Sequence, residues 1–405
     1  MKKVLFINTT FGTGGAPKVA KDLFEYLGNV PEYKVYFAYG RGPEVSIDNV
    51  IKIGNLFEKF LHIFLVRVVG IEGFGSYFST LKLIRFIKKE KIDIVHLHNI
   101  HGYYLNFYHL FSFLKKSGIK VLWTFHDEWP ITSLKAHSMG CEHCKTGVGK
   151  CTSTYPYPKT YNNLFLRRML NKKKKAFLGL KNVTIISPAI WLTDNIKKSF
   201  LGGYQILTIV NGVDNKIFYP RKNKQELREK YNISGGDKVI VFNANNLNDT
   251  HKGVGYVLEL AEKMKDEKVL FIGFGGGIDG VVNKNIKLMG KINNVNKISE
   301  ILGLADIFIF PSLVETASLA VLEAMACGCP VVTSSVSSMP EVAGGSGILV
   351  DPYNTNSISE GIKKYLSDEN FKKEKIKSGL EHVKKFSWDK TARETIKVYE
   401  KVIAE

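Results

Sequence analysis

Short runs of apolar residues alternate with longer stretches of helical spacing along most of the chain. The first run, Val4–Asn8, empties into Thr9-Thr10-Phe11-Gly12-Thr13-Gly14-Gly15, and a helical pattern follows from about Pro17 to Leu27. Val35–Ala38, Ile94–Leu97, Val121–Phe125 and Val183–Ile186 are further short runs, with helical spacing over Phe78–Lys89 and Leu105–Lys116. Continuous apolar runs of this length suit strands covered on both faces, so the pattern predicts a parallel sheet between layers of helices. The pattern restarts after Asn211-Gly212-Val213-Asp214, with strands expected at Lys238–Phe242, Val269–Ile272, Ile286–Met289, Ile307–Phe310, Pro330–Thr333 and Gly347–Val350. The expected fold is therefore α/β. It has two doubly wound, Rossmann-like parallel-sheet domains, residues 1–205 and 206–389, facing a cleft, and a last helix over about 390–405 crosses back to the first domain. In such folds ligands bind outside the carboxyl ends of the strands.

Composition narrows the picture. The 405 residues exceed what one hydrophobic core serves, and 44% apolar with 23% charged residues is an ordinary globular balance. Lys+Arg outnumber Asp+Glu by 57 to 38, a net charge of +19. Residues 1–200 hold 30 basic and 13 acidic side chains (+17), which leaves 27 and 25 (+2) for the rest. So lopsided a split points to an anionic surface against the first domain, with general solubility as the alternative source. Nothing resembles a recognition helix, a zinc finger or an aromatic RNA platform, so a basic nucleic-acid-binding protein is the rival class and no nucleic-acid partner is expected. The run Val4–Ile7 stops at Asn8, short of a signal-peptide core, and Phe57–Ile71 is interrupted by His62 and Arg67. That stretch falls below the roughly 18 uninterrupted residues of a spanning helix. The expected location is the cytoplasm, with peripheral attachment to the inner face of the membrane.

The segment Phe310 to Val332 is the richest in chemistry. A strand ends at Phe310, a loop carries Glu315, and a helix begins near Ser318, whose first amides and positive dipole end suit a phosphate. Glu323 lies one and a half turns into that helix among Ala320, Val321, Leu322, Ala324, Met325 and Ala326. A carboxylate there needs donors, and ribose hydroxyls supply them.

Glu315, seven residues, Glu323, then Ala324-Met325-Ala326-Cys327-Gly328-Cys329-Pro330-Val331-Val332 resembles the signature of the group-1 retaining glycosyltransferases, which have the GT-B fold. Gly14-Gly15-Ala16, Asn211-Gly212-Val213-Asp214 with Phe218 and Pro220, Lys252-Gly253, Gly273-Phe274-Gly275, Gly290 and Ser387-Trp388 are similar to that family's remaining motifs, in its order. The resemblance implies a metal-independent, retaining transfer from a nucleotide diphosphate sugar, UDP- or GDP-linked, with no cofactor needed for catalysis. It assigns the ribose to Glu323, the transferred sugar to Glu315, and the diphosphate to the amides of Ala317, Ser318 and Leu319, to Lys252, and to backbone at Gly14 and Gly15. Gly290 joins the donor site by the same match. The family's arginine just upstream of Lys-Gly is missing; Asn245, Asn246 and His251 occupy the usual positions. A sugar synthase or phosphorylase on the same fold is the rival enzyme, but usually brings longer insertions.

Thr124-Phe125-His126-Asp127-Glu128-Trp129-Pro130-Ile131-Thr132 resembles the His-Asp-x-Trp-Pro-x-Thr stretch of a subset linked to surface-polysaccharide synthesis. By that likeness His126 contacts the donor sugar and is grouped with Glu315 and Lys252 as catalytic. His98, His101 and Asp127 are the acceptor-side candidates, with His96 as a rival, since alternation puts His96 and His98 on one face.

Cys141, Cys144 and Cys151, with His137 or His143 nearby, have the makings of a tetrahedral site in a long loop. A structural zinc over 137–151 is the expectation, with His137 taken as fourth ligand and free thiols or a reversible disulfide as alternatives; the related subset also carries cysteines in this loop, at other spacings. Cys327 and Cys329 read as packing residues. For the acceptor, the apolar helix at Leu56–Arg67, with Phe57, Phe60, Phe64 and Leu65, and the basic run Arg167-Arg168 with Lys172–Lys175 are expected to meet anionic lipid. They would admit a polyprenyl-diphosphate-linked saccharide. Core packing and a solvated surface are the respective alternatives.

Overall fold

The computed structural model describes every residue except 13, 150, 162–164, 235, 278–283 and 405. The chain divides into two compact units, residues 1–210 with 392–405, and residues 211–391. In the first, strands β1 (Lys2–Asn8), β2 (Tyr33–Tyr39), β3 (Val50–Lys52), β4 (Ile94–Leu97), β5 (Lys120–Thr124), β6 (Val183–Ser187) and β7 (Gln205–Thr208) form one parallel sheet. Their order is β3-β2-β1-β4-β5-β6-β7, so the direction of winding reverses between β1 and β4. Val4, Leu5, Phe6 and Ile7 of β1 are all fully buried, as the unbroken apolar run requires of a central strand. β3 and β7 were not visible in the apolar pattern, because both lie at sheet edges and none of their residues is buried. The expected domain end at 205 falls at the start of β7, whose pairing with β6 carries the first unit to Val210.

The second unit holds a six-stranded parallel sheet of β8 (Lys238–Asn246), β9 (Val269–Gly276), β10 (Ile286–Leu288), β11 (Ile307–Phe310), β12 (Val331–Ser334) and β13 (Ile348–Val350). Its order is β10-β9-β8-β11-β12-β13, with the reversal between β8 and β11. Gly212 and the Ser387-Trp388 pair meet here. Val213 donates to the Phe386 carbonyl at 3.0 Å, and a Cβ on Gly212 would stand 2.3 Å from the Trp388 nitrogen. The closing helix, Trp388–Ala404, begins at that point. Its residues from Ala392 belong to the first unit, where the Tyr399 hydroxyl reaches His96 Nδ1 at 2.6 Å. Two parallel Rossmann-like sheets flanked by helices make this a GT-B fold.

The helix Leu56–Phe64 is inverted relative to an ordinary surface helix. Leu56, Phe57, Phe60, Leu61 and Phe64 are exposed, Phe57 by 79%, while Glu58 and His62 are buried. The Glu58 carboxylate accepts from Phe78 N (2.7 Å), Ser79 N (2.9 Å) and the Ser79 hydroxyl, which caps the start of the Tyr77–Glu90 helix. His62 Nε2 accepts from Gly73 N at 3.1 Å and its Nδ1 meets the Ser76 hydroxyl at 3.1 Å. Burial holds that imidazole down at about 4. Phe74, Tyr77 and Phe78 are exposed as well. Leu65 is not part of this exposed set; it is half-buried in the π-turn Leu65–Val69 that ends the helix.

Candidate functional site

In each unit the predicted residues collect where the winding reverses. At the β1/β4 reversal of the first unit, β4 delivers His98 and β5 delivers His126. His98 Nδ1 and His126 Nε2 share a hydrogen bond of 2.8 Å, and the rings stack with centroids 5.1 Å apart. Burial pushes His126 down to about 4 and His98 well below the usual imidazole range, so both are neutral at pH 7. His96 does lie on the same face, 4.4 Å from His98 between ring centroids, but Tyr399 and Thr124 Oγ1 (2.8 Å) occupy both its nitrogens. It is a satisfied core residue. His98 Nε2 has no hydrogen-bond partner among the described residues. The loop after β1 closes on this group: Thr9 Oγ1 donates to the carbonyl of His101 at 2.7 Å. Gly14, with φ 100°, precedes the helix Gly15–Gly28, and a Cβ on Gly15 would meet nothing within 4 Å.

Beyond the histidine pair runs a buried polar network. His101 Nε2 meets Asp127 Oδ2 at 2.8 Å, and Asp127 Oδ1 accepts from Trp129 N at 3.0 Å. Burial alone would raise the Asp127 carboxyl, yet His101, His137 and the Trp129 amide together outweigh it and leave the group below the usual range. Trp129 Nε1 donates to Glu72 Oε2 at 2.7 Å. On the other side Lys173 Nζ stands 3.5 Å from the Trp129 ring centroid and donates to the carbonyls of Trp129 (2.7 Å) and Thr132 (3.2 Å). The indole is thus gripped between a carboxylate and an ammonium. Burial lowers Lys173 to about 7 and raises Glu72, each effect opposed by the other charge. Sequence reasoning missed Glu72 altogether and placed Lys173 in a surface run. The helical period of Leu166–Phe177, with Met169, Leu170, Ala176 and Phe177 buried, was the signal that turns Lys173 inward. Of that lysine run only Lys175 is exposed; Lys172 and Lys174 are half-buried.

The next loop holds the three thiols. The Sγ atoms of Cys141, Cys144 and Cys151 all lie within 4.8 Å of one another. His137 does not join them. Its Nδ1 lies 3.8 Å from Glu128 Oε2, and its ring packs on Tyr155. Glu128 is buried and also accepts from Ser138 N at 2.8 Å, so the loop folds its imidazole toward the carboxylate rather than the sulfurs.

In the second unit Lys252 follows β8 and Glu315 follows β11, and the two side chains form a direct ion pair across the reversal. The loop is braced from below: Leu313 N donates to the His251 carbonyl at 2.7 Å, and Ser312 Oγ to the same oxygen at 3.0 Å. Gly253 has φ 72°, and a Cβ there would sit 2.0 Å from the Pro311 carbonyl oxygen, so only glycine lets the two loops close. His251, at the position where an arginine was expected, is buried and serves through its backbone. Ser318 precedes the helix Leu319–Ala326 without capping it by its side chain, which leaves the amides of the first turn without an intrahelical acceptor. Glu323 is half-buried in that helix, and Ala317 and Leu319 are half-exposed at its start. Gly290 adopts φ 63° with open space around it, and its carbonyl accepts from Gly275 N at 2.9 Å. Cys327 and Cys329 are buried, as packing residues should be.

This geometry agrees with what the chain is similar to. Residues 223–382 match the family model for glycosyl transferases group 1, and residues 13–217, just over half of the chain, match that for Glycosyltransferase Family 4. The chain belongs to glycosyltransferase family 4. Within the glycosyltransferases, O-antigen chain mannosyltransferase B of Escherichia coli is 41% identical over 92 residues, 23% of this chain and 24% of that protein. The chain therefore spans about a quarter of that relative. The putative colanic acid biosynthesis glycosyl transferase WcaC of Escherichia coli (strain K12) is 27% identical over 364 residues, 85% of this chain and 86% of that protein. Among solved structures, sucrose-phosphate synthase from Thermosynechococcus elongatus superposes over 100% of both chains with a TM-score of 0.75 at 18% identity. Anabaena HepE, solved with UDP and glucose, covers 99% of this chain and 100% of its own, with a TM-score of 0.66 at 14% identity. These two likenesses speak to the fold.

Proposed function

We propose that this glycosyltransferase moves a sugar from a nucleotide diphosphate donor to a lipid-linked saccharide during surface-polysaccharide synthesis, with retention at the anomeric carbon and without a divalent metal. The observation that carries the reading is the Lys252–Glu315 pair at the β8/β11 reversal, beside the start of the Leu319–Ala326 helix. In this mechanism the diphosphate takes Lys252 from Glu315 and meets the amides of Ala317, Ser318 and Leu319, while Glu323 accepts from the ribose hydroxyls. Lys252 and the amides then carry the charge that builds on the leaving phosphate, which is the work a metal does elsewhere. Glu315, released, accepts from hydroxyls of the sugar. A donor phosphate oxygen takes the acceptor proton as the acceptor attacks from the face that the leaving group vacates. His126 is neutral at pH 7 and suits a hydrogen bond to a sugar hydroxyl. The names of the two Escherichia coli relatives support the polysaccharide setting.

The test is a thermal-shift screen of UDP, GDP, ADP and CMP with their sugars, followed by proton NMR of the product made in excess EDTA. A ligand at about 100 times its dissociation constant adds roughly 2.7 kcal/mol. Stabilisation by UDP or GDP and an anomeric configuration equal to the donor's are expected; an inverted product, or activity abolished by EDTA, refutes the mechanism. A product formed from a sugar phosphate alone would instead identify a phosphorylase.

The lipid-linked acceptor and attachment to a membrane surface rest on the inverted Leu56–Phe64 helix. Among the described residues no helix is long and apolar enough to cross a membrane. A row of exposed Leu and Phe with Lys59 over the Phe60 ring, and the exposed Phe74 with Lys172 over its ring, suit insertion at the interface of an anionic bilayer. Flotation with anionic and neutral vesicles tests this: Phe57→Ser with Phe60→Ser should lower binding to anionic vesicles at least tenfold, and unchanged binding would remove the support.

A further inference from the structure

We infer that Cys141, Cys144 and Cys151 form a zinc site of three thiolates that staples the 132–152 loop beneath the His126-Asp127 segment. The three sulfurs lie within 4.8 Å of one another although the chain brings them from two places, the Cys141-x-x-Cys144 turn and Cys151. Cys144 Sγ and Cys151 Sγ are 3.4 Å apart. A disulfide needs about 2.05 Å. Thiolates around a tetrahedral zinc, each about 2.3 Å from the metal, stand about 3.8 Å from one another, the spacing approached here. The backbone prepares the turn: Cys141 N–H donates to the Ser138 carbonyl at 2.9 Å and Cys144 N–H to the Cys141 carbonyl at 3.2 Å. Thr152 N–H donates to Cys141 Sγ at 3.2 Å, an outer hydrogen bond of the kind that orients a metal-bound sulfur. Zinc with three thiolates and a neutral fourth ligand carries one negative charge, and the half-buried Lys135 lies close enough to Cys144 and Cys151 to interact with both electrostatically. Since no imidazole joins the thiol group among the described residues, the fourth ligand is a water molecule. On binding, each thiol loses its proton to solvent and no redox change occurs.

The staple has something to hold. Ser133 N–H donates to the Cys144 carbonyl at 2.6 Å, the Thr132 carbonyl accepts from Lys173, and Glu128 N–H donates to the Ala136 carbonyl at 2.8 Å. The thiol turn is therefore bonded directly to the segment that supports Asp127 and Trp129. The metal acts by position and touches no reacting group.

The experiment uses the full chain, purified with a phosphine reductant and without chelator. Metal analysis should return about one zinc per chain. Cobalt exchanged into the protein should give a thiolate-to-cobalt charge-transfer band and the intense visible bands of tetrahedral cobalt. Cys144→Ser and Cys151→Ser should lose both, while Cys327→Ala, outside the cluster, should keep them. Because a serine variant could fail to fold, wild-type protein is also treated with a strong chelator: its melting temperature should fall and recover with added zinc. Zinc well below stoichiometry in wild type after growth in supplemented medium, together with no charge-transfer band, overturns the proposal. So does an intact mass lower by two hydrogens, with Cys144 and Cys151 crosslinked, in protein alkylated before any reductant is added.

Discussion

Lys173→Met removes the ammonium from beneath Trp129 while keeping an unbranched side chain of similar length. Lys173 is fully buried, gives hydrogen bonds to two carbonyls and lies against the indole face, so three favourable interactions go at once. Breaking a buried charge pair by removing one partner costs about 3–5 kcal/mol. Here the lower end applies. Glu72 is not in direct contact with Lys173, methionine refills the space, and the Trp129 carbonyl keeps the Thr132 hydroxyl at 3.4 Å. A loss of about 3 kcal/mol is a fall of about 6–12 °C in Tm for a unit of this size. Urea unfolding followed by tryptophan fluorescence, with the Glu72→Gln variant and the double variant, makes a full cycle. Glu72→Gln should cost less in the Lys173→Met background than in wild type, with a coupling of at least about 1 kcal/mol. The pH dependence gives a second signature. Lys173 binds its proton more weakly folded, at about 7, than unfolded, so the unfolded chain holds more protons between pH 7 and about 9 and stability rises over that window. Lys173→Met should abolish that rise. Strict additivity of the two substitutions, or the same rise in the variant, would refute the account of the network.

Glu323→Ala should abolish stabilisation by UDP or GDP in thermal shift while leaving the melting temperature of the free protein within a few degrees. Lys252→Ala should lower kcat by 10²-fold or more with a much smaller change in donor affinity, because its partner charge peaks in the transition state; equal losses in both would contradict that role. Gly253→Ala should destabilise the second unit by about 1–3 kcal/mol in urea unfolding, since a Cβ at φ 72° would stand 2.0 Å from the Pro311 carbonyl. His62, His96 and His126 are held neutral by burial, down to about 4, 3 and 4, so the folded state binds fewer protons than the unfolded. Stability should fall as pH drops from 6.5 toward 4, which calorimetry at stepped pH would register.

Period and run length read the central strands well: Ile94–Leu97 and Ile307–Phe310 are matched residue for residue, because buried parallel strands have no polar face to blur them. The edge strands β3 and β7 lacked that signature. Glu315 and Lys252 were legible one at a time, whereas their pairing was not, since only the order of strands around β8 and β11 brings them together. His137 was misjudged for a similar reason. Spacing along a chain cannot show that a neighbouring carboxylate, Glu128, will take an imidazole away from three thiols. Glu72 was invisible, because a lone glutamate in a glycine-rich stretch gives no periodic sign of its burial.

The inverted Leu56–Phe64 helix is bolted on from within. Glu58 grips the start of the next helix and His62 grips Gly73 and Ser76, so the apolar row cannot swing out on a tether. Any surface that receives those phenylalanines thereby receives the whole first unit at a fixed tilt. For the lipid-linked acceptor proposed above, the height of the histidine pair over that surface would then act as a ruler, selecting by the distance between anchor and reactive hydroxyl as well as by the identity of the sugars.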